Sequence, residues 1–398
     1  MTAVGSQPKP QPFGFLALYA LASSGGAVAY VPFLTLLLPL QIQRLSGTSD
    51  IDLLAYITFG GAAAASLSNI AFGWLSDRTQ SRRPWILAGL VLSSILLVLL
   101  RVASNVWELV ALLVAWQIAL NMMLAPLAAW AGDCFPDSQK GLLGGMLSFA
   151  PAFGALAGVL VTLGPVAPQS RNLLIAGLVI LLVLPALAAG RGRIRGELLD
   201  EYPTTDRRAH KVEPQIAVLR MWAARLLVQI AEAALFAYAV FWLLSLGAVA
   251  ADREAARMFG SAMGIAVPLA LLAGRWSDRR DRPILPLFIA SAIATAGLVA
   301  MAFAKDISAG TGGYLVFGVA GAVFLSLHSA QTLRVLPRPR RRGRDLGVFN
   351  LTNTVPSLIM PWVAIGIIPT FGFSGLFWLL AALTLVATLM LSTLLHRV

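Results

Sequence analysis

The chain lacks the residue patterns from which enzymes build active sites. Its 398 residues include a single cysteine, Cys134, so neither an intramolecular disulfide nor a thiolate metal cluster can form. It contains no P-loop, no paired catalytic carboxylates and no nucleophile placed beside a base. We therefore expect neither an enzyme nor an ATP-driven pump, and we expect no cofactor and no metal ion.

Charged residues are also scarce. They make up 12% of the chain, against roughly a quarter in soluble domains, whereas 58% of the residues are hydrophobic. The net charge of +12 comes from basic residues grouped in short clusters between apolar runs. That arrangement is typical of cytoplasmic loops and not of a DNA-binding face. The composition predicts an all-α membrane protein.

Apolar runs long enough to cross a bilayer, about 20 residues each, occur twelve times. The predicted helices 1 to 12 are residues 13–40, 53–74, 85–100, 108–131, 142–163, 173–189, 218–246, 259–273, 284–303, 314–336, 346–371 and 376–395. Residues 190–214 form the only long polar stretch, between helices 6 and 7. We predict a six-helix bundle at residues 1–190, a cytoplasmic linker at 191–213 and a second six-helix bundle at 214–398.

Lysine and arginine residues predict the orientation, because cytoplasmic loops carry an excess of them. The linker and the loops on the same side as the amino terminus hold most of the basic residues. The opposite loops hold only Arg44, Arg101, Arg171, Arg253, Arg257 and Lys305. We therefore place both termini in the cytoplasm, and we expect a multi-pass protein of a bacterial inner membrane that is a monomer.

A charged motif occurs once in each predicted half. Residues 73–84 read G-W-L-S-D-R-T-Q-S-R-R-P, and residues 274–283 read G-R-W-S-D-R-R-D-R-P. Two other motifs are P-L-A-A-W-A-G-D-C-F-P-D-S-Q-K-G at residues 126–141 and G-R-D-L-G-V-F-N-L-T-N-T-V-P at 343–356. Each copy of the charged motif is predicted to be a short turn-forming loop between two spans. The repeat indicates that the two halves are related copies.

With its twelve spans, the chain resembles the major facilitator superfamily over nearly its whole length. The three motifs resemble in particular the glycoside-pentoside-hexuronide cation symporters and the sucrose-proton symporter-like branch. The resemblance implies two pseudo-symmetric six-helix bundles and transport by alternating access. The positions that correspond to the sodium-binding carboxylates of such symporters are Ala65, Asn69 and Leu124, and Ala128 stands where the branch often has an arginine. These departures disfavour a sodium site of that design.

The repeated motif predicts a cytoplasmic gate. A carboxylate at a helix end can cap a neighbouring helix and pair with arginines, which is favourable by about 0.3 to 1 kcal/mol for the dipole part. Contacts that form in one state and break in the other set the balance between the two states. The alternative is a pair of solvated turns. The gate residues are Gly73, Asp77, Arg78, Arg82, Asp133, Gly274, Asp278, Arg279 and Arg282.

Glu232 is predicted to lie near the centre of helix 7. An ionised side chain at the bilayer centre costs at least about 2.5 to 3.5 kcal/mol on insertion scales, and an apolar environment favours the neutral acid. Arg225 precedes it on the same helix face, about 10 Å nearer the cytoplasm. We predict that Glu232, together with Arg225, couples transport to protons. The alternative is a structural carboxyl that bonds to a neighbouring helix.

Neutral polar and aromatic side chains could bind the hydroxyl groups and rings of a sugar or polyol. The substrate-binding candidates are Asn69, Trp116, Gln117, Asn121, Gln229, Tyr238, Gln331, Asn350 and Asn353. His328 is placed near the inner end of its helix, where a packing or gate role is favoured. For a single amide the alternative is a helix-to-helix bond, worth about 0.6 kcal/mol on average in membranes.

Three functions remain open from the sequence. The first is proton-coupled symport of a small neutral hydroxylated solute, a sugar or glycoside. The second is export of drug-like or amphipathic compounds by proton antiport, which the apolar spans and the missing sugar-branch residues favour. The third is a membrane scaffold or sensor that has lost transport, which the doubled motif disfavours. The expected partners are the solute, protons and the lipid bilayer, without nucleic acid.

Overall fold

The computed structural model describes residues 11–135, 139, 143, 146, 147, 149–189, 215–280, 282, 284–335 and 342–395. The description of side chains excludes residues 132, 215–218, 278, 279, 329–335, 342–351, 353 and 354. The predicted linker at residues 191–213 lies outside the described residues. So does part of predicted helix 5.

The described chain is helical, as its composition predicts. The helices are α1 (Phe13–Ser46), α2 (Ile51–Arg78), α3 (Arg83–Leu100), α4 (Val106–Cys134), α5 (Ala150–Leu163), α6 (Arg171–Ala189), α7 (Gln215–Ser245), α8 (Ala251–Arg280), α9 (Leu285–Phe303), α10 (Ile307–Val335) and α11 (Arg342–Ser392). Among the described residues ten helices are long and apolar enough to cross a membrane, and α5 is a shorter apolar helix. The prediction of an all-α multi-pass membrane protein is confirmed.

The last helical run, α11, is interrupted at one glycine. Its 51 residues are far more than one bilayer crossing requires. Gly372 has φ 65° and ψ −173°, a conformation that glycine adopts without the steric cost of a side chain. The interruption falls between predicted helices 11 and 12, so the run is long enough for two crossings. The total of twelve spans stays a prediction.

Several helices extend further into polar sequence than predicted. The clearest case is α8, which begins at Ala251 and carries Asp252 and Glu254 in its first turn, where carboxylates favour the helix dipole. Arg257 donates to Glu254 over 3.0 Å one turn later. The prediction that Arg253 and Arg257 lie in an outer loop is therefore wrong, because a hydropathy pattern does not register the polar first turns of a helix.

The extent predicted for the two charged loops is also wrong. Gly73, Asp77 and Arg78 belong to the last turns of α2, and Gly274 to Arg280 belong to α8. Between α2 and α3 the turn consists of residues 79–82, with Gln80 at φ 48°. The motif residues are therefore held mainly by helix ends, which fixes their positions more firmly than a loop would.

Contacts between helices divide the chain into two compact units. The first comprises Met1–Pro32, Ala63–Ala157 and Pro165–Ala209, and the second comprises Phe33–Ala62, Gly158–Gly164 and His210–Val398. In the first unit α3 packs against α4 and α6, and the first part of α1 packs against α6 and α4. In the second, α7 packs against α11, and α10 packs against α8 and α9. The predicted division at residues 190 and 214 stays a prediction.

Part of the predicted amino-terminal half therefore belongs to the second unit. Phe33–Leu37, a π-helical segment of α1, packs against α7 and α8. The rings of Tyr56 and Phe59, on α2, lie edge-on to Trp362 of α11 with centroid distances of 6.2 and 5.2 Å. The second unit is thus a helical core to which α1 and α2 contribute one end each.

Each unit contains a helix pair that meets at a glycine. A Cβ atom on Gly89 of α3 would lie 2.4 Å from the backbone nitrogen of Met123 on α4. A Cβ atom on Gly297 of α9 would lie 2.4 Å from the backbone nitrogen of Phe317 on α10. Backbones can approach this closely only where a side chain is missing, as is common between membrane helices. The two glycines set the packing distance within each pair.

Candidate functional site

Arg82 joins three side chains at one end of the first unit. Its Nε atom donates to Asp133 Oδ2 over 2.9 Å, Nη1 donates to the Ser76 hydroxyl over 2.6 Å, and Nη2 pairs with Asp77. Desolvation opposes the charge of Arg82, but the bonds to Asp133 and Asp77 outweigh it and raise the pKa of the guanidinium. The cluster ties the end of α2 to the end of α4 through the start of α3.

Aromatic rings reinforce the same end of the unit. The Arg83 guanidinium lies 5.5 Å from the centroid of Trp130 on α4, and Arg78 lies 5.4 Å from Trp74 on its own helix. Phe15 of α1 meets Trp130 edge-on at 5.7 Å. Cation–π contacts of this kind are worth about 0.5 to 1 kcal/mol at exposed sites. Together these contacts connect α1, α3 and α4.

Ser277 plays a related part in the second copy of the motif. Its hydroxyl donates to the carbonyl of Arg282 over 3.2 Å, and Arg282 N donates back to the Ser277 carbonyl over 3.3 Å. Ser277 and Ser76 are both buried. Arg282 is exposed, Gly274 is half-buried, and the side chains of Asp278 and Arg279 lie outside the described residues. The sequence prediction named the aspartates and arginines and missed both serines, although their recurrence was visible.

Glu232 lies near the middle of α7 and faces Gly321 of α10. A Cβ atom on Gly321 would lie 2.2 Å from Glu232 Oε1. That oxygen is buried and has no hydrogen-bond partner among the residues that the structure describes. Tyr314, also on α10, is close enough to Glu232 for an electrostatic interaction. An oxygen in such a position is far better tolerated on a neutral carboxyl than on an ionised one.

Arg225 is buried two turns before Glu232 on α7. Its Nε atom donates to the Thr352 hydroxyl over 3.2 Å, and Nη1 donates to the Leu325 carbonyl over 3.3 Å. The ring of His328, also buried, places Nε2 2.8 Å from the Met221 carbonyl. The bonds of Arg225 fix its guanidinium to α10 and α11. Thr352 was not among the predicted residues, because its contact joins segments far apart in the sequence.

Two of the predicted substrate-binding amides meet in the first unit. Asn69 Nδ2 donates to Asn121 Oδ1 over 3.2 Å, and Asn121 Nδ2 donates to the Gln117 carbonyl over 2.9 Å. Asn69 on α2 is exposed, whereas Gln117 and Asn121 on α4 are buried. The amide of Asn69 therefore lies at the surface and is oriented by its hydrogen bond to the buried amide of Asn121.

Of the remaining substrate-binding candidates, some lie inside one of the two units, and the side chains of the others lie outside the described residues. Trp116 is fully buried in the first unit. Tyr238 is buried in the second unit beside Thr58, and Gln229 is half-buried on α7. The side chains of Gln331, Asn350 and Asn353 lie outside the described residues. Trp116 and Tyr238 therefore pack as core residues in this structure.

A comparison with protein-family models gives one match. The model of the Major Facilitator Superfamily matches residues 13–338, which is well over half of the chain. No curated protein matches the chain.

Proposed function

The chain belongs to the major facilitator superfamily of membrane transporters, and we propose that it carries a small neutral hydroxylated solute, a sugar or glycoside, together with protons. Glu232 carries the proton and the exposed amide of Asn69 binds a solute hydroxyl. Solute and protons enter together by alternating access, in a bacterial inner membrane, with both termini in the cytoplasm. The protein works as a monomer.

Proton coupling is supported above all by the environment of Glu232. One of its oxygens is buried without a hydrogen-bond partner in the described part of the chain. Leaving a buried polar atom unsatisfied costs about 1 to 3 kcal/mol, and more if the group is charged. The carboxyl group is therefore neutral in this conformation and must gain a polar environment before it ionises. A carboxyl group that is neutral when buried and ionises when its environment becomes polar can take a proton on one side of the membrane and release it on the other.

The solute class is supported by the amides of the first unit. An amide offers both a donor and an acceptor and carries no charge, which suits hydroxyl groups. Asn121 accepts from one Asn69 N–H group, so the amide of Asn69 is oriented before a solute arrives. A pre-oriented amide loses less conformational entropy on binding than a free one.

The gate assignment extends to the Arg82 cluster. We propose that Arg82, Asp77 and Asp133 belong to the cytoplasmic gate, whose contacts form when the protein faces outward and break when it faces inward. Gly73 and Arg78 complete this part of the gate, and Gly274, Asp278, Arg279 and Arg282 serve the same role in the second half.

Proton-driven export of amphipathic compounds is the second candidate function. It is favoured by Leu124, which stands where the sugar symporters that the sequence resembles have a functional position on helix 4. A Cβ atom on Gly26 of α1 would lie 2.6 Å from Leu124 Cδ2, so Leu124 is used for apolar packing. A site with fewer polar groups suits a more apolar solute.

One measurement separates the two functions. The purified full-length protein is placed in liposomes that contain a pH dye, and a panel of sugars, polyols and amphipathic cations is added outside. Acidification of the lumen that follows one sugar, and that is lost in Glu232→Gln, is the expected result. A pH change only with amphipathic cations would establish the exporter. A silent dye with every compound would contradict both functions.

A further inference from the structure

The place where Glu232 meets α10 is formed by a missing side chain. A Cβ atom on Gly321 would lie 2.2 Å from Oε1, 3.3 Å from Cδ and 3.9 Å from Cγ of Glu232. The end of the side chain therefore occupies the volume that an alanine methyl group would fill. Every other residue type would displace the carboxyl group from this position.

The close packing of α10 continues one turn before Gly321, against α8. At Gly318, one turn earlier on α10, an added Cβ atom would lie 3.0 Å from the Tyr314 ring and 3.2 Å from Ala262 Cβ on α8. The Tyr314 ring also lies 5.4 Å from the ring of Phe259 on α8. The helices α8 and α10 are thus in close contact one turn from Gly321, through aromatic and small apolar groups.

We propose that Gly321 is a positioning residue for proton coupling, because its missing side chain creates a seat that accepts the neutral Glu232 carboxyl and excludes the ionised one. The neutral group fits against the helix backbone, where one of its oxygens has no hydrogen-bond partner among the described residues. An ionised group in the same seat lacks the hydrogen bonds that a buried charge requires. Loss of the proton therefore expels the side chain from Gly321. The inference rests on the proposed role of Glu232 in proton coupling.

Infrared difference spectroscopy tests the seat without any solute. Spectra of the full-length protein in lipid, recorded between acidic and alkaline pH, contain the C=O stretch of each protonated carboxyl, and Glu232→Gln identifies the band of Glu232. We expect Gly321→Ala to shift this band, because the displaced carboxyl gains hydrogen bonds. The control is Gly312→Ala on the same helix, where a Cβ atom meets no described atom within 4 Å. An identical band in Gly321→Ala, or no Glu232 band in the wild type, overturns the proposal.

Transport provides a second readout. We expect Gly321→Ala to lower proton-driven accumulation of the transported solute by about tenfold, because the Glu232 side chain is forced off its preferred rotamer. We expect Gly312→Ala to leave accumulation unchanged. A shifted band in a protein that moves protons with no solute would refute the proposed function and leave the seat intact. A shifted band with full accumulation in Gly321→Ala would overturn the seat's role in coupling.

A folding defect in Gly321→Ala is resolved by a double variant. If the added methyl group misfolds the protein through overlap with Glu232, then Gly321→Ala combined with Glu232→Ala removes the overlap and restores monodisperse protein. If the double variant also fails to fold, the glycine is required for another reason and the seat is refuted.

Discussion

Asn69 Nδ2 on α2 donates to Asn121 Oδ1 on α4 over 3.2 Å, so an exposed amide is oriented by a buried one. The two residues therefore have different roles. Asn121 is bound on both sides, since its own Nδ2 donates to the Gln117 carbonyl over 2.9 Å. Asn69 keeps part of its hydrogen-bonding capacity at the surface, where we propose that a solute binds.

We first predict that Asn69→Ala weakens solute binding, at a cost in stability of at most about 1 to 3 kcal/mol because the buried Asn121 Oδ1 loses its donor. The loss of one neutral hydrogen bond, about 0.5 to 1.5 kcal/mol, corresponds to as much as a tenfold increase in KM. The control is Asn172→Ala, because the buried Asn172 donates to the Leu97 carbonyl over 2.7 Å and joins α6 to α3. Initial rates of solute uptake and thermal unfolding in detergent measure the two effects. An unchanged KM in Asn69→Ala removes this residue from the binding site.

A second prediction concerns Glu232→Gln, which keeps the size of the side chain and removes its ionisation. We expect proton-driven accumulation to be abolished, while exchange of labelled solute across the membrane at equal concentrations continues. Exchange needs only reorientation of the loaded protein, whereas accumulation needs a proton to be released. Parallel uptake and exchange assays in liposomes measure this separation. Accumulation at the wild-type level would show that another group carries the proton.

The third prediction compares the two carboxylates that bind Arg82. The Asp133 side chain is 24% exposed and that of Asp77 is 63% exposed. A hydrogen bond to a charged group is worth about 1.5 to 3 kcal/mol when partly buried, whereas an exposed ion pair contributes about 0.2 to 1 kcal/mol. We therefore expect Asp133→Asn to lower the unfolding temperature more than Asp77→Asn.

The control for this comparison is Arg257→Gln, which removes an exposed pair with Glu254 and should have almost no effect. Thermal unfolding of all three variants gives the order. Equal losses for Asp133→Asn and Asp77→Asn would mean that burial does not decide the strength of these pairs. Asp77→Ala should in addition weaken the outward-facing state, which distance measurements between spin labels would detect.

The helices were largely predictable, because a span must satisfy its backbone internally and keep an apolar surface. Predicted helix 3 at residues 85–100 differs from α3 by two residues at its start. The ends of the helices were less predictable where polar residues continue a helix. Asp252 and Arg257 read as loop residues by hydropathy, yet dipole and i,i+3 interactions keep them in α8.

The candidate site was predictable in its residue types and less so in its contacts. Glu232 was identified because a charged side chain inside a membrane is costly. Arg82 was identified because basic residues are grouped in cytoplasmic loops. Gly321 and Thr352 were missed, because a glycine or threonine gains its role only from the segment it meets in the fold. Those partners, Glu232 and Arg225, lie on α7, far away in the sequence.

The last prediction concerns the glycines at which neighbouring helices meet. Gly89→Ala and Gly297→Ala each place a methyl group 2.4 Å from a backbone nitrogen, so one helix must move. Overpacking of this kind costs about 1 to 3 kcal/mol.

Gly177→Ala on α6 and Gly264→Ala on α8 are matched controls, since an added Cβ atom there meets no described atom within 4 Å. Alanine also favours a helix over glycine, so the controls should be neutral or stabilising. Thermal unfolding should therefore show a lower unfolding temperature for Gly89→Ala and Gly297→Ala and an equal or higher one for the two controls. A loss of stability in the controls as large as in Gly89→Ala would show that close packing is not the cause.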